Sequence, residues 1–312
     1  MSFFKRKSEA GWLAVGIMDK RIDLIHVVPK AEGLPVVTLC NSYQKEGGSF
    51  AFLSRLRRDL KLERYRCVTM LRFSTYQMIQ VEPPAVPPEE LKEAIRWRVK
   101  NMLDYPVTEA TIDILDVPPD PNMSTRNRQV FVVCAQNAVL QKVIRIFQTA
   151  DLNLEAIDIP EISQRNIAVL FEPPGRGVAM LDFGARGGLL TFTYGGELYL
   201  SRRLDVTITQ LVEADASQRE ALFERIVLEL QRSIDNFEHQ FHFISLSKLM
   251  LSPRLAEADL GLLSYLEPNL YLPVERIDLE QILDLTQVPE LQDPKRQGQY
   301  MTLIGTALRP QP

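Results

Sequence analysis

The sequence predicts an α/β protein built from two lobes, with a smaller α/β module inserted into the first lobe. Apolar runs of strand length alternate with amphipathic helical segments, which indicates a mixed architecture. Proline-rich breaks at 81–90 and 173–175 separate three stretches, because proline cannot continue a helix interior or a central strand. With 312 residues, of which 46% are apolar, each stretch is long enough to bury a core.

The first stretch begins the first lobe with strands on both sides of one helix. Apolar side chains recur at helical spacing over residues 50–62, which predicts an amphipathic helix there. Short apolar runs bounded by turn residues predict the strands of this lobe. These runs span residues 12–17, 22–28, 35–40, 67–73 and 76–81.

Residues 81–156 are predicted to form the inserted module. Pro87 and Pro88 suit the first turn of a helix, and Glu89 and Glu90 suit its positive N-terminal end. The pattern that follows predicts two strands and a second amphipathic helix. The predicted elements are the helix 89–103, the strands 111–117 and 128–135, and the helix 137–152.

The chain is then predicted to return to the first lobe before the second lobe begins. A strand at 154–159 and a helix at 161–170 precede the Pro-Pro-Gly hinge. The segment LDFGARGGLLTFTYGGELYLSRRL, residues 181–204, predicts two strands joined by a tight turn at Gly195 and Gly196. This segment therefore starts the second lobe.

A long amphipathic helix over residues 219–241 is the dominant predicted element of the second lobe. Its apolar side chains repeat every three or four residues and form one stripe. The stripe consists of Leu222, Ile226, Leu230, Ile234, Phe237 and Phe241. Strands are predicted at 248–252 and 271–279, and YMTLIGTALRP at 300–310 predicts a strand that runs into a short helix.

Composition and charge exclude several classes of protein. The net charge of −4 and the isoelectric point near 5.6 argue against general nucleic-acid binding. The sequence contains no uninterrupted apolar run of membrane-spanning length. Cys40, Cys67 and Cys134 are odd in number and widely spaced, which favours buried thiols in a reducing, cytoplasmic compartment. His239 and His242 have a spacing that suits a metal ion, but exposed surface histidines are the simpler interpretation.

Three basic clusters have two interpretations each. Two lie on predicted helices and consist of Arg55, Arg57, Arg58 and Lys61, and of Arg96, Arg98 and Lys100. Both are interpreted as solvated helix faces, with docking to an acidic partner or a membrane as the alternative. The third cluster, Lys5, Arg6 and Lys7 beside Phe3 and Phe4, is interpreted as a frayed basic tail, with contact to an anionic membrane as the alternative.

The turn from Asp182 to Gly187 is the strongest local candidate for a ligand site. Asp182 ends an apolar strand and could hold Mg²⁺ through water. The backbone N–H groups of Gly184, Ala185, Arg186 and Gly187 could cradle phosphate oxygens. A purely structural turn between two strands explains the same residues, so the local pattern leaves both interpretations open.

The order of elements resembles the actin-like ATPase fold, a ribonuclease H-like fold, in the variant that FtsA and PilM share. Several stretches resemble PilM-type pilus assembly proteins: VPPEELKEAIRWRVKNMLDYPVTEATIDILDV, LNLEAIDIPEISQRNIAVL, LYLSRRL and LELQRSIDNFEHQF. The opening FFKRKSEAGWLAVGI is similar to the MshI branch, which serves the mannose-sensitive haemagglutinin (MSHA) type IV pilus. This resemblance implies a first lobe of 1–80 and 157–172, a module of 81–156 and a second lobe of 173–312.

The resemblance also implies a nucleotide site between the lobes, of which this chain keeps one element of three. Asp182 and Gly184 match the second phosphate loop, and Asp182 would be a metal ligand only if a magnesium nucleotide binds. The other two elements are replaced by Met18, Lys20 and Arg21 in the first phosphate loop and by Pro253 and Arg254 in the adenosine motif. Long side chains and proline there oppose close backbone contacts with a nucleotide. We therefore expect no ATPase activity and no cofactor.

The function that the resemblance implies is that of a cytoplasmic adaptor in type IV pilus assembly. PilM-like proteins bind the cytoplasmic N-terminal peptide of a PilN-like inner-membrane protein, in a cleft between the first subdomain and the inserted module. We expect this cleft between residues 1–80 and 81–156, and peripheral contacts with the membrane or other platform proteins. The alternative is an active actin-like ATPase, with Mg-ATP bound, or a filament-forming protein of the pilus or cell-division class.

Overall fold

The computed structural model describes residues 9–121, 128–254 and 261–310. Their strands are β1 (Trp12–Ile17), β2 (Arg21–Val28), β3 (Val36–Gln44), β4 (Cys67–Met70), β5 (Tyr76–Val81), β6 (Ala110–Val117), β7 (Gln129–Gln136), β8 (Leu154–Asp158), β9 (Gly177–Gly184), β10 (Gly187–Tyr194), β11 (Glu197–Leu204), β12 (Leu246–Leu251) and β13 (Val274–Arg276). Their helices are α1 (Ser49–Leu60), α2 (Pro88–Val99), α3 (Asn137–Thr149), α4 (Pro160–Ala168), α5 (Ile208–Glu213), α6 (Ala216–Gln240), α7 (Leu262–Leu266) and α8 (Pro294–Ala307).

The two larger sheets have the same topology. The first-lobe sheet has the order β3-β2-β1-β4-β8, and the second-lobe sheet has the order β11-β10-β9-β12-β13. In each sheet, three consecutive antiparallel strands are followed by two strands that run parallel to the first strand. This arrangement confirms the predicted two-lobed α/β architecture.

The central strand β1 is buried on both faces of the first-lobe sheet, because alternate side chains of a strand point to opposite sides. Leu13 and Val15 share a buried cluster with residues of α1 and α3. Trp12 and Ala14 share the cluster on the other face with Ile304 of α8. Each fully buried leucine or isoleucine stabilises the fold by about 1.5–3 kcal/mol, so burial on two faces anchors this lobe.

The inserted module is a three-stranded antiparallel sheet, in the order β5-β7-β6, covered by α2. Ile95 and Val99 of α2 are fully buried and share a cluster with Val130 and Val132 of β7. The predicted boundary at residue 81 is wrong by one strand, because β5 pairs with β7 along its whole length. An alternating pattern indicates a strand but does not name its partner strand, so the module begins at β5.

Helix α3 leaves the module and packs on the first lobe. Ile146 and Phe147 belong to the same buried cluster as Leu53 and Leu56 of α1. The first turns of α3, by contrast, contact the apolar cluster around β5 and β7 through Leu140. The helix that was predicted as the last element of the module therefore connects two cores.

Helix α6 confirms the long helix predicted for the second lobe. It begins with a capping box in which Asp215 accepts from the backbone N–H of Gln218 and the Gln218 side chain accepts from the backbone N–H of Asp215. The predicted apolar stripe faces the second-lobe sheet, and Phe237 stacks on Phe192 of β10 with ring centroids 4.8 Å apart. The amphipathic pattern thus locates both the helix and its buried face.

The last helix, α8, corrects the strand predicted at the start of residues 300–310. Asp293 accepts from the backbone N–H of Lys295, and Pro294 occupies the first turn, which are signals for a helix start. Helix α8 then packs tightly on α4. A Cβ on Gly305 would lie 2.2 Å from the backbone oxygen of Ser163, so this close approach of two helices requires glycine.

Candidate functional site

The predicted phosphate loop forms a hairpin turn between two strands. Asp182 lies near the end of β9, Ala185 and Arg186 form the turn, and Gly187 begins β10 opposite Gly184. The segment 181–204 therefore spans three strands and two hairpin turns, not the two strands that were predicted. Gly187 has a φ of 124°, and a Cβ there would lie 2.6 Å from a backbone oxygen of β11. Strand packing alone thus accounts for this glycine.

Asp182 forms an ion pair with an arginine of the same lobe. Its Oδ1 atom lies 3.3 Å from Nε of Arg254, and the Asp182 side chain is 14% exposed. The cavity beside Asp182 has a volume of about 20 Å³, whereas small-molecule sites typically occupy about 300–1,000 Å³. Arg254 is one of the residues that the sequence placed at the adenosine motif, so the structure brings two predicted positions together.

The hairpin between β1 and β2 is likewise occupied by contacts within the chain. Arg72 donates to Asp19 and to the backbone oxygen of Ile17, both at 3.0 Å. Its hydrogen bond and charge lower the pKa of Asp19, and the charges of Lys45 and Arg186 lower it further. Arg186 belongs to the second lobe, so charges of both lobes act on Asp19.

Two arginines of the second lobe contact the first lobe and the start of the module. Arg186 donates a hydrogen bond to the hydroxyl of Ser74, and Arg203 donates to the backbone oxygen of Phe73 at 3.2 Å. Arg203 also lies 3.5 Å from Glu161, which is 1% exposed and accepts a hydrogen bond from Tyr76. These contacts join the two lobes through protein side chains.

The largest groove described lies between the first lobe and the inserted module, with a volume of about 690 Å³. One wall is β8, the last strand of the first-lobe sheet, and the other includes β6, the last strand of the module sheet. Apolar side chains cover most of it. They are Leu71, Leu115, Val133, Ala135, Leu140, Ile157, Ile159 and Ile162. Its dimensions and two edge strands suit an extended apolar peptide.

Ion pairs define the two ends of this groove. At one end Arg66 lies 2.7 Å from Glu155, and at the other Arg309 lies 3.0 Å from Asp158. Burial raises the pKa of the Asp158 carboxyl, although the positive charge of Arg309 opposes that effect. These four charges are therefore paired with each other. The other two charged residues of the lining, Asp113 and Arg165, pair with Lys92 and Glu197 outside it.

Trp12 provides an unusual polar group at the Arg66 end of the groove. The guanidinium of Arg66 lies 4.2 Å from the centre of a Trp12 ring, which is a cation–π contact. Trp12 is only 3% exposed, and its indole Nε1 has no acceptor among the described residues. A buried N–H without an acceptor costs about 1–3 kcal/mol, and the Trp12 side chain belongs to the lining of the groove.

The sequence placed a partner cleft between residues 1–80 and 81–156 without naming its lining. The lining comes from distant segments, including Trp12, Leu115 and Ile157, so no local motif could have identified it.

The other candidates have structural roles in the described part of the chain. His242 lies 3.6 Å from Asp120 beside a cavity of about 450 Å³ that His239 also lines, but no group of three potential metal ligands is present in 9–121, 128–254 and 261–310. Cys40, Cys67 and Cys134 are free and buried, as expected, and burial raises the pKa of their thiols to about 12, 12 and 11.

Some arginines of the two basic clusters on helices form ion pairs or hydrogen bonds with neighbouring residues. Arg57 lies within ion-pair distance of Glu63 and Asp151, and Arg96 donates to the backbone oxygens of Val107 and Ala110. The basic tail at residues 3–7 lies outside the described residues. No helix in the ranges that the structure describes is long and apolar enough to cross a membrane.

The chain has an actin-like fold: its two lobes have equal topology, a cleft separates them, and a module is inserted in the first lobe. Solved structures match this chain in fold. No protein-family model matches the sequence, and no curated protein matches it.

A PilM–PilN type IV pilus biogenesis complex matches with a TM-score of 0.71 and 22% identity, over 97% of this chain and 98% of that chain. A Bacteroides thetaiotaomicron protein with an actin-like ATPase fold and unknown function matches with a TM-score of 0.50 and 11% identity, over 93% of this chain and 98% of that chain. At these identities the matches establish the fold, and function has to be argued from the site.

Proposed function

We propose that this protein is an adaptor of a type IV pilus assembly machine that binds a short peptide of a membrane protein. The observation that carries the proposal is the apolar groove of about 690 Å³ between β8 and the module sheet. Its size, apolar lining and flanking edge strands suit a peptide of a few residues. The fold match to a PilM–PilN complex supports a PilN-like protein as the source of that peptide.

The proposed partner segment is the cytoplasmic N-terminal peptide of a PilN-like inner-membrane protein. Apolar side chains of the peptide would pack on Leu115 and Ile157, and backbone groups would pair with the edge strands. Binding would place this protein at the cytoplasmic face of the inner membrane. The resemblance of residues 3–17 to the MshI branch supports a pilus of the MSHA type.

The nucleotide site is proposed to be degenerate, so that the protein acts without ATP hydrolysis. Arg254 is paired with Asp182, and Arg72 is bonded to the opposite hairpin, where a bound nucleotide would need its own contacts. Titration with Mg-ATP in a calorimeter tests this point. We expect no binding at micromolar concentrations, and a micromolar dissociation constant would contradict the proposal.

An active actin-like ATPase or filament former remains the second candidate, and the retained Asp182 and Gly184 favour it. Co-purification with the N-terminal peptide of the PilN-like partner separates the two functions. The adaptor is expected to retain the peptide with and without ATP. Retention only with ATP would favour the ATPase, and no retention in either condition would overturn the adaptor.

A further inference from the structure

Residues 1–8, MSFFKRKS, have the composition of a ligand for the groove. Phe3 and Phe4 are large apolar side chains of the kind that anchors a peptide in an apolar groove. The described chain begins at Glu9, whose backbone N–H donates to the backbone oxygen of Arg64 at 2.8 Å. The described chain therefore begins beside Arg64, two residues before Arg66 of the groove lining.

The path from Glu9 to the apolar middle of the groove is short for a segment of this length. Eight extended residues span up to about 26 Å, and Trp12 already lines the groove. On the far wall, Asp113 is strongly exposed, and its nearest cation is Lys92 at 3.9 Å. A lysine or arginine of the segment that reaches Asp113 would give this carboxylate a closer cation than Lys92.

Trp12 gives an independent indication that this end of the groove receives a ligand. Its Nε1 is buried and has no acceptor among the described residues, and it belongs to a side chain that lines the groove. A peptide that enters beside Trp12 brings backbone carbonyl oxygens close to this unsatisfied group. Arg66 contacts the same ring by a cation–π interaction.

We propose that residues 1–8 bind in the groove between β8 and the module sheet and compete there with the partner peptide. This inference rests on the proposed function, because it assigns a regulator to the same groove. A tethered segment has an effective concentration on the order of 1 mM. With an intrinsic dissociation constant of about 0.1 mM, it would weaken binding of the partner peptide about tenfold.

A fluorescence titration tests the self-contact. The chain has two tryptophans, and Trp97 is 64% exposed, so the Trp97→Phe variant leaves Trp12 as the only reporter. We expect synthetic MSFFKRKS to change the Trp12 emission of a chain that lacks residues 1–8. Leu140→Arg, in the groove lining, should abolish the change, and Ile144→Arg, exposed one turn later on α3, should preserve it.

The inference is overturned if MSFFKRKS leaves Trp12 emission unchanged, or if both arginine variants respond alike. It is also overturned if the segment binds vesicles containing phosphatidylglycerol but causes no Trp12 response. A chain with Phe3→Ser and Phe4→Ser should bind the partner peptide as tightly as the chain without residues 1–8, about tenfold more tightly than wild type.

The partner titration separates failure of this inference from failure of the adaptor function. Equal affinity of the partner peptide for the full and shortened chains overturns the inference and leaves the adaptor intact. Absence of partner binding to either chain overturns the adaptor, while a Trp12 response to MSFFKRKS would still support the self-contact.

Discussion

At the scale of single residues, the contacts that matter most join segments far apart in the sequence. Glu161 is almost fully buried, forms an ion pair with Arg203 of the second lobe and accepts a hydrogen bond from Tyr76 of the module. Arg254 and Asp182 are 72 positions apart. The sequence marked Asp182 and Arg254 as members of two motifs, but it contained no signal that they pair with each other. Such pairs follow from how the lobes pack, which local patterns do not encode.

Tyr76→Phe is expected to destabilise the fold by about 1.5–3 kcal/mol, because it removes a hydrogen bond to a buried, charged acceptor. Tyr271→Phe is the matched control: this tyrosine also bonds a glutamate, Glu238, but it is 62% exposed. Loss of this exposed hydrogen bond should lower the free energy of unfolding by less than about 0.5 kcal/mol. Urea unfolding curves measure both, and equal losses would contradict a special role for the buried pair.

His26 is expected to make stability depend on pH. Burial lowers the pKa of His26 from the ordinary value of 6.5, although its hydrogen bond with the backbone oxygen of Ala10 opposes the shift. As the pH falls through 6.5, the unfolded imidazole takes up a proton that the folded imidazole does not, so the folded state loses stability. Above that value the effect vanishes.

The His26→Gln variant should therefore show a smaller loss of stability than wild type between pH 7.5 and 5.5. Urea midpoints at the two pH values measure this difference, and His239→Gln, at an exposed site on α6, controls for removal of an imidazole. An unchanged slope in His26→Gln would show that other groups cause the pH dependence.

At the scale of secondary structure, amphipathic patterns predicted the longer elements but missed one strand of segment 181–204 and the short helices α5 and α7. They also gave one helix the wrong type and one strand the wrong sheet. Helix α6 was located correctly because its apolar stripe is long and regular. Helix α8 was partly mistaken for a strand, because its buried face is broad and Tyr300, Met301 and Ile304 form a short apolar run. The caps at Asp293 and Pro294 were the missed signal. Strand β5 was recognised but assigned to the wrong sheet.

Gly305→Ala is expected to destabilise the contact between α4 and α8. Alanine normally favours a helix over glycine by about 0.8–1 kcal/mol, but here its Cβ would meet the backbone of α4 at 2.2 Å. Overpacking typically costs about 1–3 kcal/mol, so a net loss is expected. Gly48→Ala, which has no atom within 4 Å of its Cβ, should cost less than about 1 kcal/mol. Thermal and urea unfolding measure the stability of both variants against wild type. A Gly305→Ala variant more stable than wild type would contradict this packing.

At the scale of the whole molecule, the two lobes share one topology that is invisible as a sequence repeat. Only the order and direction of strands are preserved between β1–β4–β8 and β9–β12–β13. The side chains differ, because one face of each sheet has its own buried cluster and the other faces share a third cluster. The resemblance to PilM-type proteins predicted the fold where internal comparison could not. The groove lining could not be predicted, because it combines three segments that only folding brings together.

The cleft between the lobes is held by the protein's own cations, and the groove between lobe and module is open. Arg186 and Arg203 of the second lobe bond to residues 73–74, next to Leu71 of the groove lining. The same short loop therefore contacts both regions. This arrangement fits the proposed function, in which the groove is the ligand site.

The most direct test of the adaptor is a calorimetric titration of the partner's N-terminal peptide into wild type, Leu140→Arg and Ile144→Arg, each with and without Mg-ATP. The account predicts binding to wild type and Ile144→Arg with one affinity in both conditions, and a loss of at least tenfold in Leu140→Arg. Equal binding to the two arginine variants, or binding that requires Mg-ATP, would contradict it.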